Sequence, residues 1–186
     1  MKKTLLLHTC CAPCMSYVFE LVRQEYEVLS FFYNPNISPR SEYDRRLGEL
    51  RRFSESAPFQ LLEGAYDARD WTAAVKPYRF LGERSERCEV CIRYRLRESF
   101  IRARETGIGA VATVLSVSPH KDAAAINRAG RELSQEFSIA FIEADYKKKD
   151  GFKKTVELSR QYGFYRQDYC GCVYSANPEY RPRRPD

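Results

Sequence analysis

The stretch Leu5-Leu6-Leu7-His8-Thr9-Cys10-Cys11-Ala12-Pro13-Cys14 decides how this chain is read. A short apolar run ends in polar residues and three clustered cysteines, and Pro13 suits the first turn of a helix. In an open α/β sheet the carboxyl end of a strand, facing a helix N-terminus, is where chemistry collects. The cysteines therefore stand where such a fold keeps its active site.

Outward from this point strands and helices alternate. Helical spacing of Tyr17, Val18, Leu21 and Val22 covers Ser16 to Gln24, and Val28 to Tyr33 reads as a second buried strand stopped by Asn34-Pro35-Asn36. Ser41 to Ser56 is a charged amphipathic helix, Phe59 to Leu62 a third strand, and Asp67 to Val75 a helix carrying the single tryptophan, Trp71. Pro77 to Arg87 reads as irregular. Cys88 to Glu105 is helical and closed by Gly107. Ala110 to Val117 and Ile139 to Glu143 are strand-like, with helices over Lys121 to Glu136 and Phe152 to Gln161. Strands separated by helical crossovers imply an α/β fold: a mostly parallel, Rossmann-like sheet of about five strands with helices on both faces. The expected organisation is one catalytic domain over residues 1–175, with a cysteine-bearing insertion and C-terminal segment. A basic, disordered tail is expected over 176–186.

With 186 residues, 30% charged and 44% hydrophobic, the chain fits one domain. No apolar run nears the ~20 residues of a membrane span, and the apolar start stops at His8, short of a signal peptide. The expected compartment is the cytoplasm, with no membrane partner. There, clustered cysteines serve metal binding or catalysis rather than stapling, and seven is an odd number.

Lys plus Arg outnumber Asp plus Glu by 31 to 25, for a net charge of +6. Such an excess suits an anionic partner without identifying one. Three clusters stand out: Arg45-Arg46 with Arg51-Arg52; Arg93, Arg95, Arg97, Arg102 and Arg104; and Lys147-Lys148-Lys149 with Lys153-Lys154. Each is either a solvated helix face or a nucleic-acid contact.

The cysteines form compact groups. Cys11/Cys14 and Cys88/Cys91 have C-x-x-C spacing, which places two thiolates one turn apart for zinc or an iron–sulfur cluster. A zinc site holding the insertion is one reading. Neighbouring Cys10 and Cys11 do not easily share a single ion, yet they can bind different irons of a cubane, which favours the cluster. Cys170-Gly171-Cys172 would close a strained, easily reduced disulfide or donate thiolates to a second metal, and Asp168 is close enough in sequence to add an oxygen ligand or a proton.

The phrases His8-Thr9-Cys10-Cys11-Ala12-Pro13-Cys14, Phe32-Tyr33-Asn34-Pro35-Asn36-Ile37, Cys88-x-x-Cys91-x-x-Tyr94-Arg95-Leu96, Ser116-x-Ser118-Pro119-His120-Lys121 and Tyr165-Arg166-Gln167-Asp168-Tyr169-Cys170-Gly171-Cys172 resemble the QueH-type epoxyqueuosine reductases. The resemblance runs from Leu5 to about Ser175. It implies a fold like the adenine-nucleotide-hydrolase group and reduction of the epoxide of epoxyqueuosine at the wobble position of a tRNA anticodon, the last step to queuosine. It also implies a [4Fe-4S] cluster and an additional mononuclear iron, without cobalamin. On this resemblance Cys10, Cys11, Cys88 and Cys91 hold the cluster, Cys170 and Cys172 cycle redox state, and Cys14 and Asp168 are candidates for the extra iron.

That chemistry needs electrons, protons and a grip on RNA. An open iron position polarises a C–O bond, a dithiol can complete an electron pair, an electron donor must restore it, and Tyr169, Asp168 or His8 could supply protons. Unstacked RNA bases are held on aromatic platforms, for which Tyr33, Tyr66, Trp71 and Tyr165 are candidates. Asn34, Asn36, Ser118 and Lys121 are candidates for the base or a phosphate. Two other functions compete. ATP-dependent tRNA modification would need a glycine-rich loop after the first strand, which His8 to Cys14 lacks. A zinc-stabilised RNA-binding module would hold zinc without sulfide.

Overall fold

A computed structural model describes residues 2–176. The expected tail therefore lies, apart from Ala176, outside the described residues.

Five strands form one sheet: β1 (Lys3–His8), β2 (Tyr26–Phe32), β3 (Gln60–Glu63), β4 (Ala110–Thr113) and β5 (Ala140–Phe141). Their order is β3-β2-β1-β4-β5, and every pairing is parallel. Seven α-helices join them among the described residues: α1 (Ala12–Val22), α2 (Arg40–Ser56), α3 (Ala68–Val75), α4 (Glu86–Glu105), α5 (Ala123–Phe137), α6 (Gly151–Gln161) and α7 (Val173–Ala176). The expected α/β class, parallel sheet and strand number are all present.

Strand periodicity explains the two-sided core. Along β1, Leu5 and Leu7 point to one face and Leu6 to the other, as a period of two requires. Leu5 and Leu7 pack with Val18 of α1, Leu50 of α2 and Phe164, with Leu158 of α6 at the margin. Leu6 packs with Leu96 and Phe100 of α4 and Ile126 and Leu133 of α5. A smaller third core joins Trp71 and Val75 of α3 to Cys91, Cys172 and Tyr174.

The sequence of connections reverses between β1 and β4, so their carboxyl ends frame the switch point of the sheet. His8 pairs with Phe31 on one side and Thr113 on the other, which puts Cys10 directly beyond that crevice.

Two strands are shorter than expected. Beyond Thr113 the chain tightens into a 3₁₀ turn, Val114–Val117, because the Thr113 hydroxyl accepts from Leu115 N–H at 3.2 Å. Here a local side-chain bond replaces the ladder. Only Ala140–Phe141 of the Ile139 to Glu143 stretch pairs with β4. The segment read as irregular holds a 3₁₀ turn, Lys76–Tyr78, and the start of α4 at Glu86.

Candidate metal centre and active site

All seven cysteines are free thiols, and they gather in two banks at the switch point. The first bank is the β1–α1 turn, where the ligand atoms of Cys10, Cys11 and Cys14 lie within 4.8 Å of one another. Cys11 takes the cap position of α1 in extended backbone, and Pro13 follows in the first turn as expected. The Cys10 thiol donates to Cys11 Sγ at 3.7 Å, and Gln167 Nε2 donates to the same sulfur at 3.1 Å. Hydrogen bonding from the thiols of Cys10 and then Cys14 holds Cys11 well below the usual thiol range, with Arg46 adding its charge against burial. Cys10 is correspondingly pushed up to about 11, chiefly by its bond to Cys11, and Cys14 rises as well.

The second bank comes from α4 and the C-terminal segment. Cys91 accepts from Trp71 Nε1 at 3.3 Å, and Cys172 shares its small core with Trp71 and Tyr174. Lys121 Nζ donates to Cys170 Sγ at 2.7 Å. A hydrogen bond from Cys172, with the Lys121 and Arg95 charges, holds Cys170 well below the usual thiol range despite burial. Cys172, the donor, is pushed up. Burial alone would lower Lys121, but the charges of Cys170, Cys88 and Cys91 outweigh it and raise the ammonium above its ordinary range.

A cavity of about 370 Å³ joins the banks; Cys10, Cys14 and Cys170 line it together with Asn36, Ser118, Lys121, Asp168 and Tyr169. Cys88 faces a narrow neighbouring recess that shares His120 and Lys121. Three thiols of the first bank are thus packed as one metal-sized group, while Cys88 and Cys91 belong with Cys170, Cys172 and Lys121.

The return of the C-terminal segment depends on α2. Arg46, paired with Glu42 at 2.7 Å and buried with it, donates to the Cys170 carbonyl at 3.2 Å and the Tyr169 carbonyl at 3.4 Å. Ser38 N–H reaches the Gly171 carbonyl at 2.8 Å, and the Tyr169 hydroxyl donates to the Ser38 carbonyl at 2.9 Å. Gly171 has φ of 108°, and a Cβ there would sit 3.0 Å from Arg46 and 3.1 Å from Ile37. Only glycine fits this turn without strain.

Several sequence candidates stand away from the cavity wall. His8 is fully buried; its Nδ1 lies 2.8 Å from Thr113 Oγ1 and its Nε2 lies 3.3 Å from the Tyr33 carbonyl. Burial, then Arg95, lowers it to about 3, so it is a neutral tie between strands. Tyr33 stacks on Phe31 and Tyr94 inside the core. Trp71, 3% exposed, is the Cys91 donor. Asn34 donates to the Thr9 carbonyl at 2.8 Å and accepts from Arg95. Tyr66 donates to the Ile37 carbonyl at 2.7 Å, and Tyr165 to Glu42 at 3.1 Å.

Sequence reading missed Gln167, Phe152 and above all Arg95. Arg95 was grouped with the surface arginines of α4, yet it is 2% exposed and lines the cavity. Among the described residues it makes one side-chain bond, to Asn34 Oδ1, and its Nε has no partner. Its position was legible in one respect: four residues after Cys91, it shares that residue's face of α4.

Fold and site together define an α/β protein that presents clustered, cation-backed cysteines at its switch point, a class suited to metal binding and redox chemistry. A family model described as epoxyqueuosine reductase QueH matches residues 5–178. Among curated proteins, the epoxyqueuosine reductase QueH of Thermotoga maritima is 36% identical over 176 residues, covering 92% of this chain and 90% of that protein. That of Streptococcus pyogenes serotype M1 is 34% identical over 181 residues, covering 94% and 71%. That of Acinetobacter baylyi is 36% identical over 173 residues, covering 92% and 79%. The chain belongs to the QueH epoxyqueuosine reductase family and is an oxidoreductase. No helix among the described residues is long and apolar enough to cross a membrane.

Proposed function

We propose that this chain reduces the epoxide of epoxyqueuosine at the wobble position of a cytoplasmic tRNA, giving queuosine and water, within a single catalytic unit over residues 1–175. The reading rests on family membership and on one observation: thiols from both banks, together with Asp168, face one cavity backed by buried cations. Clustered soft sulfur donors suit iron and zinc alike, and the buried Arg95 with the half-buried Lys121 suits an anionic thiolate-bound centre. In this proposal Cys10, Cys11, Cys88 and Cys91 hold a [4Fe-4S] cluster, and Cys14 and Asp168 hold an adjacent iron. When bound, this centre supplies electrons and a Lewis-acidic position.

The chain's own residues do the rest. Epoxide removal consumes two electrons and two protons and releases water. Oxidation of the Cys170 thiolate and the Cys172 thiol to a disulfide releases the same two electrons and one of the two protons; solvent supplies the second proton, and an external electron donor restores the reduced pair. Tyr169 and Asp168, both on the cavity wall, are placed to pass protons to the departing oxygen. On the same wall, Asn36 Oδ1 and Gln167 Oε1 are buried acceptors without a partner among the described residues. Unpaired buried acceptors call for ligand donors, and the amine and hydroxyl groups of the modified base provide them.

The test is mass spectrometry of nucleosides from epoxyqueuosine-containing tRNA after incubation with anaerobically prepared, reduced protein. Conversion to queuosine, with iron and acid-labile sulfide in the protein, is the expected result. Zinc alone with no conversion would replace the reductase by an RNA-binding module.

A further inference from the structure

Of the three basic clusters in the sequence, one keeps most of its charges outside ion pairs among the described residues. In the first, Arg46, Arg51 and Arg52 pair with Glu42, Glu63 and Glu49, and Arg45 lies 3.4 Å above the Tyr165 ring. In the second, Arg93, Arg97 and Arg102 pair with Glu132, Glu136 and Glu105, Arg95 is buried, and Arg104 rests on Phe137. In the third, Lys147 pairs with Asp145, whereas Lys148, Lys149 and Lys153 are exposed and make no ion pair among the described residues. Neutralised arginines have little field left for a distant anion. The free lysines keep theirs.

These lysines flank the start of α6, and between them stands Phe152. Phe152 is 40% exposed, so its ring face is open to a stacking partner. Phe152 also lines the cavity that holds Cys10 and Cys14, so it stands where that cavity meets solvent. Arg166, exposed and likewise without an ion pair among the described residues, lines the cavity with it.

We infer that the α6 rim is the docking surface for the anticodon loop: Phe152 stacks a base flanking the modified one, while Lys148, Lys149, Lys153 and Arg166 hold the loop phosphates. A single-stranded loop offers both partners, since every base has a face to stack and every phosphate a charge. The inference rests on tRNA being the substrate and adds where and by which residues it is held.

The test uses the full chain and an unmodified anticodon stem–loop RNA, with affinity measured across a salt series. Combining Lys148→Ala, Lys149→Ala and Lys153→Ala weakens binding at least tenfold and lowers the slope of log affinity against log salt by about 2, at roughly 0.7 per phosphate contact on a single strand. Phe152→Ala weakens binding by roughly fivefold to a hundredfold, the range of one stacked base, while Phe152→Tyr retains it. Arg93→Ala with Arg97→Ala, on the neutralised cluster, stays within about twofold, as expected for exposed ion pairs. If the unaltered protein binds RNA and the lysine triple variant binds it equally with the same slope, the docking surface is wrong and the substrate reading survives. Should the unaltered protein not bind the RNA at all, both fall together.

Discussion

Arg95→Met separates the two states of the site. The Arg95 guanidinium is 2% exposed, bonds only Asn34 among side chains, and has no carboxylate partner among the described residues. In the metal-free protein its charge is balanced by depressed thiols, Cys170 among them. Removing it lets a thiol take back a proton. With the arginine gone and the thiol protonated, both charges leave the site, and replacing a buried ion pair by uncharged groups of similar volume is neutral or stabilising by about 1–4 kcal/mol. Leaving Asn34 Oδ1 unsatisfied costs about 1–3 kcal/mol. The two nearly cancel, so the metal-free variant should melt within about 4 °C of the parent, at ~2–4 °C per kcal/mol for a chain of this size. Metal-bound thiolates cannot reprotonate, and losing their counter-cation should cost about 3–5 kcal/mol, the scale of breaking a buried pair. The gain in Tm on anaerobic metal loading should therefore shrink by at least ~6 °C, with iron per chain falling in parallel. Calorimetry of both forms decides it. A metal-free variant melting more than about 10 °C lower, or an undiminished gain on loading, would refute Arg95 as the counter-charge.

Three further outcomes follow from single contacts. Lys121→Met removes the cation 2.7 Å from Cys170 Sγ and should let that thiol rise back towards the ordinary thiol range. Iodoacetamide labelling of Cys170 in metal-free protein near pH 6, followed by peptide mass spectrometry, should slow about tenfold or more; an unchanged rate would contradict the pairing. Glu42→Ala strands buried Arg46 and should cost about 3–5 kcal/mol, read as a drop in urea midpoint at constant slope. Loss of only a few tenths would show that the Tyr169 and Cys170 carbonyls suffice. His8 is lowered from 6.5 to about 3, so the unfolded chain binds its proton before the folded one does. Stability contributed by His8 is therefore full above 6.5 and falls as pH drops towards 3, by about 1.4 kcal/mol per unit. His8→Gln should remove about one proton from the pH slope of unfolding between 6 and 4, and a slope identical to the parent's would exclude this assignment.

Much of this was readable from local pattern. Leu5 to Leu7, the breakers after Tyr33 and the Gly107 cap gave the alternation, and the parallel sheet followed because helical crossovers allow little else. Clustered cysteines at the end of the first strand pointed to the crevice for the same reason. What escaped depended on long-range packing. Trp71 read as an RNA platform, but α3 turns it inward to donate to Cys91. Arg95 read as surface charge because five arginines at mixed spacing mask the single one on the Cys91 face. Phe152 left no periodic signal, since one exposed aromatic at a helix start looks like an ordinary core residue until the cavity beside it is visible.

The Cys170-Gly171-Cys172 sequence acquires its meaning only in three dimensions. With φ of 108°, Gly171 turns the chain sharply beneath Arg46 and Ile37, and the two sulfurs meet different surroundings. Cys170 faces the cavity and the Lys121 ammonium. Cys172 is buried against the Trp71 and Tyr174 core, with its sulfur 3.5 Å from the Ser175 hydroxyl. One cysteine is thereby stabilised as a thiolate and its neighbour kept as a thiol that donates to it. A dithiol in this state is prepared either to bind a metal through Cys170 or to lose two electrons as a pair, because the nucleophile and its partner are already differentiated. A side chain at position 171 would press on Arg46 and Ile37 and strain the turn. That disturbance would reach both the Arg46 brace from α2 and the Lys121 contact from the β4–α5 loop, so this one glycine ties the cysteine pair to both sides of the switch point.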